Sequence, residues 1–115
     1  MPESRTPTVS ELLRFLDTCE VRAVEKATLN GNEAFGYHDE SVIVVSRRKH
    51  LDTKGDGMVM TGLHELVHEW EERHRKRVRE HKVRRWELRL FKDSRLRDAM
   101  AVRLLDAWLF GESQP

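Results

Sequence analysis

Apolar residues recur at Val9, Leu12, Leu16, Cys19, Ala23 and Ala27. Steps of three and four lay these side chains along one face, which predicts an amphipathic helix over residues 9–28. Thr8-Val9-Ser10-Glu11 opens it as a capping box, with Thr8 as the cap and Glu11 reaching back. Asn30-Gly31-Asn32 ends it. Residues 33–38, Glu-Ala-Phe-Gly-Tyr-His, read as a strand, and Asp39 and Glu40 turn the chain. Ser41 to Ser46 holds four consecutive β-branched residues, Val42-Ile43-Val44-Val45, and is the clearest strand of the chain. The two strands suit a hairpin. A polar loop follows from Arg47 to Gly57, turning at Lys54-Gly55-Asp56-Gly57. Thr61 is the expected cap of the next helix. From Leu63 to Phe110 there is neither glycine nor proline, so this stretch is expected to be mostly helical. Asp93-Ser94 can begin a new helix with an apolar stripe of Leu96, Met100, Leu104, Leu105, Trp108 and Leu109, which Gly111 stops.

The length, 115 residues, argues for a single domain spanning 1–115, with loose tails at 1–7 and 111–115. Charged residues make up 36% and hydrophobic residues 38%, a highly charged balance that still supports a core. Cys19 is the single cysteine, so no disulfide framework forms within one chain, which fits a reducing cytoplasm. Met-Pro-Glu-Ser-Arg has no apolar signal core, and the run Val42–Val45 is far short of a membrane span. The expectation is a cytoplasmic protein without membrane segments.

The net charge of +1 hides an asymmetry: residues 1–72 carry 8 Lys+Arg against 14 Asp+Glu, and residues 73–115 carry 13 against 6. The basic block from Arg73 to Arg103 is open to several readings. It could contact nucleic acid or an acidic substrate, form a solvated helical face, or join the acidic half of another copy in a homo-oligomer. It lacks aromatics interleaved for base stacking, and no DNA-binding motif is visible.

His64-Glu65-Leu66-Val67-His68 carries the chemistry. Two histidines four apart on a helix project from one face about 6 Å apart along the axis. A pair of neutral imidazoles so placed suits a tetrahedral zinc ion. Glu65 flanks the metal without needing to bind it, and can take a proton from a zinc-bound water and pass it to a leaving amine. Leu66 and Val67 are the packing positions between the ligands. The bland alternative is a surface helix with chance histidines in a chain that has six.

The order helix, hairpin with Gly36-Tyr37 and Ser41–Ser46, polar loop, then Thr61-Gly-Leu-His-Glu-Leu-Val-His68 resembles the catalytic core of zincin metallopeptidases over roughly residues 33–91. In size the chain resembles the minimal single-domain gluzincins, some of which block the cleft with their own C-terminal segment. The resemblance implies an α+β, zincin-like fold: a short β-hairpin or mixed sheet packed on an active-site helix, with three or four helices in all. It implies a zinc-dependent metallopeptidase acting on a peptide or protein substrate. An edge strand would pair with extended substrate, Val42–Ser46 being that strand or its neighbour. A zymogen-like or inactive zinc-binding zincin is the alternative within the same resemblance.

Gluzincins take a third ligand, a glutamate, from a later helix. One common spacing leaves eighteen residues after the second histidine, which here selects Glu87, and Glu87-Leu-Arg-Leu-Phe91 resembles the Glu-x-x-x-Phe pattern of phage-repressor-cleaving relatives. On one straight helix Glu87 would sit about 28 Å away, so the chain must reverse near residues 73–80. His74 is the rival, at the spacing of the metzincin third histidine, although Glu71 stands where that family has glycine and no Met-turn follows. Glu71, Glu72 or a group from another chain are further candidates. Tyr37 is either an oxyanion donor or a packed strand residue, and His81 is a weaker candidate for the same role. Trp70, Trp86 and Trp108 read as core, Cys19 as buried, and His38 and His50 as surface groups.

Overall fold

Thr8 begins the first helix as expected. Its hydroxyl accepts from Glu11 N–H at 3.1 Å and its own N–H donates to Glu11 Oε1 at 2.8 Å. The computed structural model describes residues 7–53, 56–74, 89–90 and 92–110. Among these, three α-helices and a small mixed sheet make an α+β architecture. The elements run α1 (Val9–Leu16), β1 (Glu20–Val24), β2 (Ala27–Leu29), β3 (Asn32–Ala34), β4 (Gly36–Asp39), β5 (Val42–Ser46), a 3-10 helix (Arg48–Thr53), α2 (Asp56–Arg73) and α3 (Ser94–Phe110).

The helix expected over 9–28 stops at Leu16. Thr18 and Cys19 N–H groups donate back to the Phe15 and Leu16 carbonyls and close the turn. Beyond it, Glu20 to Ala23 alternates polar and apolar, and Glu20–Val24 pairs in parallel with β5, Ala23 opposite Val45. Ala23 and Ala27 are buried, as their spacing suggested, but from strands rather than from a helix. Asn30-Gly31 is a two-residue hairpin turn between β2 and β3, not a helix stop. Both residues have positive φ, 53° and 82°, the backbone such a tight hairpin needs.

β5 is the centre of the three-stranded sheet, in the order β1-β5-β4. Its near-continuous apolar run matches burial on both faces. β4 pairs with it antiparallel, Asp39 opposite Val42 and His38 opposite Ile43. The turn is therefore Glu40-Ser41, one residue later than Asp39-Glu40, and both its residues hold positive φ. The single strand expected over 33–38 is broken at Phe35 into β3 and β4.

All three helices contribute to the core on one face of the sheet. Leu12 and Leu16 meet Ala23, Ile43, Val45, Leu63, Leu66, Val67, Leu96 and Met100. On α2, Leu63, Leu66, Val67 and Trp70 fall at steps of three and four and are all buried. Each such side chain contributes about 1.5–3 kcal/mol of burial, which fixes the rotation of α2 and so the direction of its opposite face. Thr61 lies inside α2 rather than capping it. Asp93 does cap α3, accepting from the N–H groups of Arg95 and Leu96. Leu96, Met100 and Leu104 are buried, but Leu105 and Leu109 of the same expected stripe are exposed. Among the described residues no helix is long and apolar enough to cross a membrane.

Candidate metal centre

With its apolar stripe against the core, α2 turns His64, Glu65, His68, Glu69 and Glu72 away from it. His64 and His68 come together: their Nε2 atoms are 3.1 Å apart, with ring centroids 4.6 Å apart. Two zinc–nitrogen bonds of roughly 2.0–2.1 Å at a tetrahedral angle separate the nitrogens by about 3.3 Å. The pair therefore fits one shared zinc ion. Glu65 stands beside them with a side chain only 14% exposed.

The facing wall is β4. Side chains paired across two strands lie on the same face, so the register puts His38 on the α2 face with Ile43. A cleft of about 310 Å³ lies between strand and helix, lined by Leu29, Gly36, Tyr37, His38, His64, Glu65 and His68. Gly36 is required there. A Cβ at that position would lie 2.6 Å from the Val44 carbonyl oxygen and 2.8 Å from Thr61 Cγ2, so only glycine lets β4 lie this close to α2.

His38 was expected on the surface, yet it is the cleft residue that the sequence reading missed. Its Nδ1 is 2.7 Å from Glu69 Oε1, and its ring lies parallel to that of His68, centroids 5.9 Å apart. Its Nε2 is 4.0 Å from Glu65 Oε1. Glu69 is almost fully buried, and its other oxygen accepts the Ser41 N–H at 2.7 Å. Ser41 Oγ also takes a hydrogen bond from Arg73. The strained Glu40-Ser41 turn is thus fastened to α2 at two points. Glu72 Oε1 lies 3.8 Å from His38 Nδ1, on an exposed side chain. His38, Glu69 and Glu72 each bring one potential ligand atom within 4.8 Å of the others. A signal for His38 was available. Whether the hairpin turns at 39–40 or at 40–41, even-numbered residues of β4 share the face of Ile43 and Val45.

The two expected third ligands fare differently. Glu87 lies outside the described residues, as do His81 and Trp86. His74 is described and is not brought to the pair. It follows His68 by six residues, about 9 Å and 240° along a helix. Its Nδ1 is 2.8 Å from the Trp70 carbonyl oxygen, its ring stacks on Trp70 at 4.4 Å, and Phe15 lies beside it. Glu71 is buried.

His50 also departs from the surface reading. It is buried, its Nε2 is 3.1 Å from Thr61 Oγ1, and burial pushes its pKa down while a hydrogen bond to the Phe35 backbone pulls partly the other way. Burial likewise pushes the Cys19 thiol up, so it offers no ready thiolate. Trp70 is core, whereas Trp108 is partly exposed beneath the Arg47 guanidinium. Much of the basic block lies outside the described residues; within it, Arg95 pairs with Asp93 and Arg103 with Asp17. A scan against family models finds no match to the chain, and searches of curated proteins and of solved structures find none either.

Proposed function

We propose that the chain is a zinc-dependent, zincin-like peptidase working in the cleft between β4 and α2. One observation carries this reading: the facing Nε2 atoms of His64 and His68, 3.1 Å apart, with Glu65 beside them on the same open face of α2. Zinc held by this pair would supply a water acidic enough to ionise near about pH 7 and a Lewis acid for a peptide carbonyl. Glu65 is the general base: its carboxylate takes the proton of the attacking water and returns it to the leaving amine. The burial that leaves Glu65 only 14% exposed supports this role, because a proton carrier in a cleft is shielded from bulk solvent.

An extended peptide is the substrate that suits the cleft. β4 is an edge of the three-stranded sheet and forms one wall, so a substrate strand can add to it through main-chain hydrogen bonds. Val42–Ser46 is then the neighbour of the edge strand rather than the edge itself.

Metal analysis after dialysis against zinc tests the reading. Wild-type protein should retain one zinc per chain, and His64→Ala should lose it. Wild-type protein that comes out of zinc-supplemented buffer metal-free would sink the proposal. Zinc retained with no cleavage of any peptide in a randomised library would leave a zinc-binding domain without the peptidase activity.

A further inference from the structure

We infer that His38 supplies the third nitrogen of the zinc site, with Glu69 as the carboxylate that orients it. This rests on the zinc reading above and names the ligand that completes the His64–His68 pair.

A carboxylate only accepts hydrogen bonds, so the 2.7 Å contact between His38 Nδ1 and Glu69 Oε1 puts the imidazole proton on Nδ1. In the neutral ring this leaves the Nε2 lone pair as the free ligand atom. Nε2 is also the cleft-side nitrogen, 4.0 Å from Glu65 Oε1. Histidines that bind metal ions characteristically donate their other ring N–H to a carboxylate, which fixes the tautomer and raises the basicity of the binding nitrogen. Glu69 has the form of such a partner. Its side chain is 1% exposed, and its second oxygen is held by the Ser41 N–H. It cannot swing away to solvent or rotate without breaking the turn.

Position agrees with tautomer. The His38 ring lies parallel to His68, with centroids 5.9 Å apart. Two imidazoles on one tetrahedral ion have centroids roughly 5 Å apart, so the His38 ring must move inward to join the His64–His68 pair, with which its nitrogens do not group within 4.8 Å. Its side chain is 21% exposed toward a cleft that has volume for the ring to move inward. The other nitrogen candidate, His74, is held on Trp70 instead. A zinc ion held by these three nitrogens, from a strand and a helix, would still have room for a water, with Glu65 beside it. A set of three neutral ligands also keeps the full charge of the ion for polarising a carbonyl, which a glutamate ligand would partly cancel.

The test measures zinc affinity by chelator competition on the full chain, together with the visible absorption spectrum of the cobalt(II) form. His38→Ala is expected to bind zinc at least about 100-fold more weakly than wild type and to change the cobalt spectrum. Glu69→Gln is expected to cost about 10–100-fold, the usual range for removing an orienting carboxylate. If His38→Ala does not fold, His38→Gln is read in its place. Wild-type affinity and an unchanged cobalt spectrum in the His38 variant, with zinc lost in His64→Ala, would overturn the inference and leave the zinc site standing. In that case Glu87→Gln should carry the loss. Absence of zinc from wild-type protein would instead overturn the zinc reading itself.

Discussion

Replacing Gly36 by alanine probes the contact that holds the two walls of the cleft together. The added Cβ would lie 2.6 Å from the Val44 carbonyl oxygen and 2.8 Å from Thr61 Cγ2. Ordinary contacts of this kind begin near 3.4 Å, so the strand and the helix must separate by about 0.6–0.8 Å, or β4 must shift against β5. Neither neighbour yields cheaply: one is backbone in the central strand and the other is a β-branched side chain inside α2. Overpacking of this sort costs about 1–3 kcal/mol. At this chain length that is a fall in melting temperature of about 5–15 °C. Thr61 is three residues before His64, and Gly36 is two before His38, so the same displacement moves the two sides of the proposed zinc site apart. Metal–ligand distances tolerate only about 0.2 Å, and zinc affinity should fall along with stability. Gly31→Ala is the control. It meets no heavy atom within 4 Å but has φ of +82°, so it should cost about 1 kcal/mol through its backbone alone and leave zinc affinity unchanged. Thermal melts and chelator titrations of both variants decide the matter. A Gly36→Ala protein that melts with wild type and binds zinc equally well would refute the close approach of β4 and α2.

Glu65→Gln should retain zinc and fold normally while peptide cleavage drops by about 10²–10⁴-fold; equal turnover by the variant in a peptide-release assay would remove Glu65 from the role of base. Thr8→Ala should lose about 0.5–2 kcal/mol in urea unfolding through loss of the capping box, and no change would mean that α1 is held by its apolar face alone. Because His50 has a folded-state pKa below its ordinary value of 6.5, the unfolded chain binds the extra proton first. Its contribution to stability should be constant above that pH and decline as pH falls below it. The stability difference between wild type and His50→Gln, followed by urea midpoints from pH 8 down to about 5, should therefore shrink with acid, and a difference that grows would reverse the assignment.

The parts of this chain that were legible in the sequence are those set by local periodicity. Leu63, Leu66, Val67 and Trp70 mark the buried side of α2, and that side alone determines that His64 and His68 face out together. The β-branched run of β5 and the Thr8–Glu11 capping box were readable for the same reason. What was not legible depends on pairing between distant residues. Cys19, Ala23 and Ala27 continue the helical spacing of α1, yet the parallel pairing of residues 20–24 with β5 wins, and no local pattern announces a parallel partner some twenty residues away. His38 illustrates the limit for the site itself. Its face could be deduced from hairpin parity, but its partner could not. Glu69 reads along α2 as one more exposed acid in a run of four, Glu65, Glu69, Glu71 and Glu72. Only the approach of β4, permitted by Gly36, turns Glu69 into a buried carboxylate with both oxygens engaged. A motif such as His-Glu-x-x-His specifies what one helix can offer. Under the proposed zinc reading, what completes that offer is the strand packed across from it, through a glycine and a glutamate whose importance appears only when the two elements are in contact.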